Sequence, residues 1–379
     1  MTYVAGTAMT AFGRSDDLDL LGLAVRAAED ALADAGVDAA SVDAVYLGTF
    51  LGQSLQRQGV LASLVARELG LPAVPTTVVE GACASAGIAL RHGAMACRAG
   101  MARTVLCIGA EQMSRHTVAE VTAGLSEALE ATSDQAAGLT FAGFFGLVAQ
   151  AHMDRYGTTR EQLAAVAVKN REHGAKNPLA RFRTPVTLDD VVGSRLIADP
   201  LRLLDCSPIA DGAAAAVVTL DRTPGSVRVL ATAQASGPVG LRHVADLTTF
   251  PATVAAADLA YAEAGIGPAD VDVAEVHDCF SVAEIIDCED LGLLPRGEAA
   301  RAVEAGATSA ATPGLVVNPG GGLLSRGHPV GATGLAQVHE LVAQLRQTSP
   351  LAVPGARIGL THNLGGCGAT ATVTILGSD

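Results

Sequence analysis

Cysteines and histidines in four glycine-rich segments are the residues of this sequence best suited to chemistry. Cys83 lies in the segment 80–87 (EGACASAG), where a strand pattern runs through small residues into a helix pattern. The free N–H groups and positive dipole end of a helix start favour a thiolate, the nucleophilic form of cysteine. Cys83 is therefore either a nucleophile or a thiol buried beneath the helix, and this segment alone does not separate the two.

A second segment, 276–280 (VHDCF), follows an apolar strand pattern at its carboxyl end. Ligands of α/β sheets bind beyond such strand ends, and residues two apart on a strand share a face. We therefore expect His277 and Cys279 to point into one pocket. The competing interpretation is a polar strand end whose Asp278 caps the next helix.

Two further segments are dense in glycine. Residues 318–334 (NPGGGLLSRGHPVGATG) contain His328, which is held by Pro329 just before a helix pattern. A phosphate-binding loop is the rival interpretation, but the Gly-Lys-Ser/Thr ending of a P-loop is absent. Residues 361–368 (THNLGGCG) form the tip of the last predicted hairpin. Either a simple turn or a set of backbone N–H groups facing an oxyanion would explain that tip.

An internal repeat indicates how these segments are positioned. ADAGV at 33–37 is followed by SVDAV at 41–45, and AEAGI at 262–266 is followed by DVDVA at 270–274, an offset of 229 residues from Gly36 to Gly265. Each copy predicts a helix that ends at glycine, a short loop and a strand. We expect two similar α/β halves that meet near 221–225, with a long helical excursion at about 111–207 in the first half.

Strand and helix patterns alternate through both halves, which predicts a layered α/β protein. The expected strands are 75–80, 104–109, 213–220 and 271–276, with a final hairpin of 357–361 and 369–376. The expected helices are 85–98, 141–156, 159–174, 282–291 and 335–346.

Composition limits the function classes. The formal net charge of −14 argues against binding of nucleic acid or anionic membranes as a general property of the surface, although a local basic patch can still hold an anionic ligand. Apolar residues make up 49% and aromatic residues 3%, which predicts a core of Ala, Val and Leu. The apolar runs are shorter than the ~18 residues of a membrane span. The seven cysteines form no CxxC pair, so we expect free thiols in a cytoplasmic protein rather than a zinc site.

Taken together, the four segments resemble those of the thiolase superfamily, and most closely the sterol-carrier-protein type of thiolase. That subgroup has a His-Asp-Cys-Phe segment and a His-Asn loop, which stand here at 277–280 and 362–363. The segment 327–334 (GHPVGATG) is the most specific motif, and the resemblance runs from Tyr3 to Ile375. It implies a five-layered αβαβα thiolase fold of two pseudo-symmetric halves, 1–222 and 223–379, in a homodimer or homotetramer. The excursion at about 111–207 would be a loop domain that covers the substrate.

The resemblance also implies catalytic roles. Cys83 would accept the acyl group, and His328 would activate it. Cys279 would move the proton at the carbon alpha to the thioester. His277 and His328 would form one oxyanion site, and the backbone N–H groups of Cys83 and Gly365 would form the second oxyanion hole. Breaking a carbon–carbon bond leaves an enolate, which needs both an oxygen stabiliser and a proton source.

Residues that would contact coenzyme A are the basic stretch with Lys176, Arg181 and Arg183, together with Ser325. A solvated surface explains that basic stretch equally well. Cys367 stands where the resemblance leads us to expect glycine, which leaves the shape of the C-terminal loop open. Coenzyme A would be substrate and product, and neither a permanently bound cofactor nor a metal is implied.

The leading function is a thiolase that cleaves 3-ketoacyl-CoA or condenses acyl-CoAs. The alternatives are a thiolase-like condensing enzyme of secondary metabolism with a non-CoA acceptor, a retro-aldol lyase of sterol side chains, and a non-catalytic acyl-binding or scaffold subunit. The pair Cys83 and Cys279 argues against the lyase, and the complete set with His277 and His328 argues against the inactive subunit. Some relatives bind an OB-fold, zinc-ribbon accessory protein, which is a further partner to consider.

Overall fold

Helices and strands alternate along residues 1–378, the part of the chain that the computed structural model describes. The strands are β1 (Thr2–Met9), β2 (Ala44–Gly48), β3 (Thr76–Val79), β4 (Thr104–Glu111), β5 (Leu196–Ala198), β6 (Leu201–Arg202), β7 (Gly212–Thr219), β8 (Val227–Ser236), β9 (Val273–Glu275), β10 (Val316–Val317), β11 (Ile358–Gly365) and β12 (Thr370–Gly377). The helices are α1 (Leu20–Ala35), α2 (Leu61–Glu68), α3 (Ser85–Arg98), α4 (Val118–Ser126), α5 (Phe141–Tyr156), α6 (Arg160–Gly174), α7 (Leu188–Gly193), α8 (Pro251–Ala264), α9 (Ser281–Asp290), α10 (Ala299–Glu304), α11 (Gly322–Arg326) and α12 (Thr333–Leu345).

The two halves of the chain have the same strand order. The first half runs β3-β2-β4-β7-β1 and the second runs β10-β9-β11-β12-β8, so numbering the strands within each half gives 3-2-4-5-1 both times. In each half the first two of these pairings are parallel and the last two are antiparallel. A short antiparallel pairing of β1 with β8 joins the halves into a ten-stranded sheet.

Helices on either side of the strands complete five layers. α1 packs on β1 and β7, and α8 packs on β8 and β12, so these two helices form the outer layers. α3 and α12 lie between the halves, because α3 contacts β4 and β8 while α12 contacts β7 and β11. The five-layered αβαβα arrangement of two pseudo-symmetric halves, expected from the sequence, is confirmed.

The residues shared by the internal repeat have the same structural tasks in both halves. Gly36 and Gly265 end α1 and α8 in the left-handed conformation, with φ of 63° and 70°. The carboxylates of Asp43 and Asp272 each accept the first backbone N–H of a strand, from Thr104 and Ile358 respectively, at 2.9 Å in both cases. The shared glycine therefore ends the helix in each half, and the shared aspartate holds the start of β4 in the first half and of β11 in the second.

The excursion predicted at about 111–207 fills the connection between β4 and β7 and contains α4 to α7 with the small sheet of β5 and β6. A tight turn replaces it between β11 and β12 in the second half. Helices α3 and α5 have the predicted bounds, and α6 begins one residue late because Thr159 is its N-cap in a capping box. No helix within residues 1–378 has the length and hydropathy to cross a bilayer.

Candidate active site

One cavity of about 110 Å³ is lined by residues from all four motif segments. The motif residues are Cys83, His277, Cys279, Phe280, His328, Val330 and Gly366. The loop domain and its junction with β7 supply Met113, Leu125, Phe141, Phe145, Ser207, Pro208 and Ile209. Tertiary folding therefore brings both predicted thiols and both predicted imidazoles to one mostly apolar chamber, which is also lined by the connection between β4 and β7.

The close crossing of α3 and α12 explains why two motifs end in glycine. Gly87 and Gly334 face each other in the first turns of these helices, where a Cβ on Gly334 would lie 2.6 Å from the backbone nitrogen of Gly87. Only glycine permits this approach. Because the amino-terminal ends of the two helices meet there, the segments just before them, with Cys83 and His328, lie side by side.

Cys83 lies in a short helical turn, 82–84, immediately before α3. The turn is constrained, since Ala82 has a φ of 49°, a left-handed conformation that residues with a Cβ rarely adopt. Ser85 stabilises it by accepting the N–H of Gly81 at 3.0 Å and donating to the carbonyl of Ala82 at 2.6 Å. A strained backbone of this kind is typical of functional turns, where it fixes one side-chain direction.

Burial, with a smaller contribution from the nearby carboxylate of Glu111, raises the pKa of the Cys83 thiol to about 12. The backbone N–H groups of Gly366 and of Cys83 itself lower this pKa, but they do not outweigh burial. Burial therefore outweighs the effect of the helix start, and Cys83 is a thiol rather than the thiolate that the helix start favours. The thiol needs a neighbouring base before it can act as a nucleophile.

His328 is suited to be that base. Burial lowers its pKa to about 3, with the positive charge of Arg326 adding to the effect, so the imidazole is neutral. Its Nδ1 lies 2.7 Å from the hydroxyl of Thr333, and this hydroxyl donates to the carbonyl of Pro329 at 3.1 Å. Nδ1 must then carry the proton in the pair, which leaves the lone pair on Nε2.

His277 and Cys279 lie beyond the end of β9, which stops at Glu275. They are in a tight turn in which the N–H of Cys279 donates to the carbonyl of His277 at 2.8 Å, so the predicted shared strand face is wrong although both side chains line the cavity. The rings of His277 and His328 meet edge to face, with centroids 5.1 Å apart. Burial lowers the pKa of His277 and raises that of Cys279, so both are uncharged.

The sulfur of Cys83 and one ring nitrogen each of His277 and His328 lie within 4.8 Å of one another. A thiol and two neutral imidazoles at this spacing can exchange a proton and can surround a developing negative oxygen. The geometry thus favours the nucleophile interpretation of Cys83 over the buried thiol.

Asp278 joins two of the motifs. Its carboxylate accepts the N–H of Leu323 at 2.7 Å, the N–H of Leu324 at 3.2 Å and the side-chain amide of Asn170 at 2.8 Å. It therefore caps α11, in the segment that leads to His328, and not the helix that follows it in the chain. Burial and the neighbouring Glu284 raise its pKa to about 7.

Two buried carboxylates that the sequence interpretation missed hold the surrounding loops. Glu111 accepts backbone N–H groups of Leu51 at 3.2 Å and Gly331 at 3.1 Å, and Asp211 accepts that of Met113 at 2.7 Å. Burial raises the pKa of Glu111 to about 7. An acidic residue directly at the end of an apolar strand pattern is the signal that could have identified both.

The C-terminal loop differs from the predicted arrangement by one residue. Gly366 lines the cavity and its N–H donates towards the Cys83 sulfur, whereas Gly365 packs so closely that a Cβ there would lie 2.3 Å from the carbonyl oxygen of Gly81. Gly366 and Gly368 have φ of 61° and 95°, so left-handed glycines on both sides of Cys367 shape the tip. Cys367 itself lines a neighbouring small pocket.

The four candidate coenzyme A residues lie outside the cavity lining. Ser325 is fully buried and donates to the carbonyl of Phe182 at 2.7 Å, which indicates a structural role instead. Arg181 is half-buried and donates to the carbonyl of Ile209 in the cavity wall. Lys176 and Arg183 are exposed.

Comparisons with known proteins agree with this architecture. The family model described as "Thiolase, N-terminal domain" matches residues 2–221, and that described as "Thiolase C-terminal domain-like" matches residues 233–378. The chain is 44% identical to a protein named acetyl-CoA acetyltransferase from Methanothermobacter thermautotrophicus, over 98% of both chains. It is 35% identical to sterol carrier protein 2 of Oryctolagus cuniculus, over 98% of this chain and 71% of that protein.

A solved structure titled "Ltp2-ChsH2(DUF35) aldolase" superposes with a TM-score of 0.86 and 28% identity, over 100% of this chain and 98% of the other. The thiolase-type acyltransferase predicted from the motifs is consistent with the family and with the relatives' names. Both halves of the sequence are matched by their own family model, and the chain belongs to the thiolase family.

Proposed function

We propose that this protein is a thiolase-type acyltransferase that carries an acyl group on Cys83 and cleaves 3-ketoacyl-CoA with coenzyme A, or condenses two acyl-CoAs in reverse. The observation that carries the proposal is the single cavity in which Cys83, Cys279, His277 and His328 meet. The similarity to a relative named acetyl-CoA acetyltransferase supports it.

In the first step, Nε2 of His328 takes the proton of Cys83 and the thiolate attacks the 3-keto carbon. The bond between the alpha and beta carbons then breaks, and its electron pair passes into the thioester as an enolate. The acyl group stays on Cys83 as a thioester. The backbone N–H groups of Cys83 and Gly366 are placed to stabilise the oxyanion that forms during the attack.

The enolate oxygen is stabilised by His277 and by the proton that His328 has gained. Cys279 donates its own proton to the alpha carbon, which releases acetyl-CoA while the shortened acyl group stays on Cys83. Burial keeps Cys279 protonated at rest, as a proton donor must be. Incoming coenzyme A gives its thiol proton to Cys279, and its sulfur then takes the acyl group from Cys83 to form the shortened acyl-CoA. The Cys83 thiolate that leaves recovers its proton from His328.

We propose a short acyl group as the substrate of this chamber. The cavity encloses about 110 Å³ and its walls are large apolar side chains. Phe145 and Phe280 stack at 4.7 Å between centroids and close one side. A chamber of this size accommodates a few carbons beyond the thioester, and longer chains need wall residues to move.

The surroundings of the site support further parts of the proposal. Lys176 and Arg183 are exposed on the segment behind the cavity wall and could meet coenzyme A phosphates by charge. Ser325 is withdrawn from this set because its hydroxyl is buried against Phe182. The division at 222/223 is supported by the ends of the flanking strands, since β7 stops at Thr219 and β8 begins at Val227.

For assembly, we propose a homodimer formed through β3. This strand is the edge of the ten-stranded sheet, and Val78 on it is 37% exposed, so a second copy can extend the sheet there. All seven cysteines are free thiols, which supports a reducing compartment such as the cytoplasm. The solved structure whose title includes ChsH2(DUF35) supports testing for a small accessory partner.

The proposal is tested by incubating the protein with acetyl-CoA and longer acyl-CoAs and measuring its intact mass. We expect an acyl adduct on the wild-type protein that coenzyme A removes, and none on Cys83→Ala. An adduct that only another nucleophile removes would indicate the condensing enzyme with a non-CoA acceptor. Absence of an adduct with every donor would count against acyl transfer.

An aldolase is the second candidate, because the solved structure with a TM-score of 0.86 is titled as one. A retro-aldol cleavage needs a base and an enolate stabiliser but no acyl–cysteine. Cleavage of a β-hydroxyacyl-CoA to an aldehyde or ketone by both wild type and Cys83→Ala, with no adduct in either, would favour this function.

A further inference from the structure

We propose that Cys83, His277 and His328 form a binding site for Zn²⁺, and that zinc bound there blocks acyl transfer. A sulfur and two ring nitrogens from three separate segments lie within 4.8 Å of one another. Among residues 1–378, these are the three histidine, cysteine or acidic side chains whose ligand atoms are grouped closely enough for a shared ion. The scattered cysteines gave no sign of such a site, because its donors are far apart in the chain.

The donor set fits zinc. Zn²⁺ prefers thiolate sulfur and imidazole nitrogen, and sites with three protein ligands keep a fourth position for water or substrate. The three side chains are 8%, 1% and 7% exposed, so they are shielded from bulk water while facing the cavity. The cavity therefore provides the open fourth position.

The surrounding structure prepares both histidines as ligands. The hydrogen bond of His328 Nδ1 to Thr333 at 2.7 Å leaves Nε2 as the unprotonated nitrogen that can bind a metal. In known sites, a hydrogen bond of this kind from the other ring nitrogen orients a metal-bound histidine. Nδ1 of His277 is buried and has no hydrogen-bond partner among residues 1–378. A buried polar atom without a partner costs free energy, and an ion bound to that nitrogen relieves this cost.

The required rearrangement is small. Zinc bonds of about 2.0–2.3 Å in a tetrahedron place ligand atoms about 3.3–3.6 Å apart. The three ligand atoms now lie within 4.8 Å of one another, so they must approach each other by roughly 1 Å to bind zinc. Small changes in the side-chain torsions of the two histidines can supply this movement. Both histidines lie in loops rather than in helices, and the adjustment of His328 is one that keeps its Nδ1 hydrogen-bonded to Thr333 of α12.

Binding is an ion exchange without redox chemistry. The Cys83 thiol loses its proton to the buffer and its sulfur bonds to Zn²⁺, while each imidazole donates a lone pair without losing a proton. One proton is released for each ion bound. The same sulfur cannot then attack a thioester, so zinc and acyl-CoA compete for Cys83.

The test measures metal binding directly, so its failure is separate from failure of the proposed acyl transfer. Reduced protein is titrated with Zn²⁺ by calorimetry, and with Co²⁺ by absorbance, where a thiolate-to-cobalt charge-transfer band reports a sulfur ligand. We expect one ion per chain. Cys83→Ala should bind at least about 100-fold more weakly and lose the cobalt–thiolate band, and His277→Ala or His328→Ala at least about 10-fold more weakly.

Cys279→Ala is the matched control, because it removes the other buried thiol of the same cavity and leaves the three donors intact. It should bind zinc like the wild type, with an unchanged melting curve for the apoprotein. Zinc should also protect Cys83 from alkylation, as read by peptide mass spectrometry. Equal zinc affinity in wild type and Cys83→Ala, or loss of the site in Cys279→Ala alone, would overturn the proposal.

Discussion

The carboxylate of Glu111 accepts the backbone N–H of Gly331 at 3.1 Å, which ties the end of β4 to the turn that carries His328. The same carboxylate accepts the N–H groups of Phe50 and Leu51 at 2.9 and 3.2 Å. Two loops, the one with Phe50 and Leu51 and the turn with Gly331, thus share one buried acceptor at the end of β4. Glu111 does not line the cavity, so we assign it a positioning role.

Replacing Glu111 by Gln should lower kcat for thiolysis by about 10- to 100-fold, because an amide cannot accept all of these N–H groups and the turn with His328 shifts. KM for the acyl-CoA should change little, since Glu111 contacts no substrate in the proposed site. Glu127→Gln, an exposed change on the loop domain, is the control. A variant with wild-type kcat would show that the turn keeps its position without Glu111.

The stability difference between wild type and Glu111→Gln should depend on pH. Because burial raises the folded-state pKa of Glu111 to about 7 from its ordinary value of 4.5, the folded protein binds this proton more tightly than the unfolded chain does. The stabilisation that this tighter proton binding gives the folded protein is fully present below about pH 4.5 and is lost as the pH rises through about 7.

Urea unfolding of both proteins across this range gives the measurement. The free energy of unfolding of the wild type, minus that of the Gln variant, should fall by up to about 3 kcal/mol between about pH 4.5 and pH 7. The subtraction removes the opposing titration of the buried histidines, which both proteins share. Parallel stability curves would contradict the raised pKa.

Thr333→Val should slow acylation of Cys83 by about 10-fold, because the valine cannot accept the Nδ1 proton of His328 and the ring loses its fixed tautomer. Thr333→Ser keeps the hydroxyl and should restore the rate, which separates this role from simple packing. The rate is followed by intact mass after rapid mixing with acetyl-CoA. Wild-type acylation in the valine variant would exclude Thr333 as the residue that orients His328.

Cys279→Ala should still form the acyl adduct on Cys83 but should exchange the alpha protons of acetyl-CoA at least about 100-fold more slowly. The exchange is measured by deuterium incorporation with NMR or mass spectrometry. Cys206→Ala is a control, since the Cys206 thiol donates a hydrogen bond to the carbonyl of Arg202 and does not line the cavity. Normal exchange without Cys279 would remove its assignment as the proton donor.

Leu125→Ala should widen the acyl preference, because Leu125 is a half-buried wall residue of the cavity. The ratio of kcat/KM for a six-carbon over a four-carbon 3-ketoacyl-CoA should rise about 10-fold, the scale expected when a pocket gains room for a methylene or two. Leu147→Ala, on the exposed face of α5, should leave the ratio unchanged. An unchanged ratio in both variants would place the acyl chain elsewhere.

Local patterns predicted much of the fold. The bounds of α3 and α5 and the glycine stops of α1 and α8 follow from capping residues and apolar spacing, which act within one or two turns of chain. Strands β1 and β8 were not predicted. Whether their apolar runs form strands depends on the neighbouring strands that pair with them, and those strands are remote in the chain.

The sequence by itself determined which residues could do the chemistry. Four motifs in order, each with its thiol, imidazole or glycines, identified Cys83, His277, Cys279 and His328 together with the family. Motifs of this kind can be recognised in a sequence because they consist of particular residue types at short spacings.

Only the tertiary structure decided the charge and the neighbours of those residues. Burial, which depends on what the rest of the chain places around a side chain, makes Cys83 a thiol at rest and His328 a neutral base. The crossing of α3 with α12 brings Cys83 and His328 together. With His277 they form the three closely spaced donors of the proposed zinc site. No local pattern contains these contacts, because each joins segments that are remote in the chain.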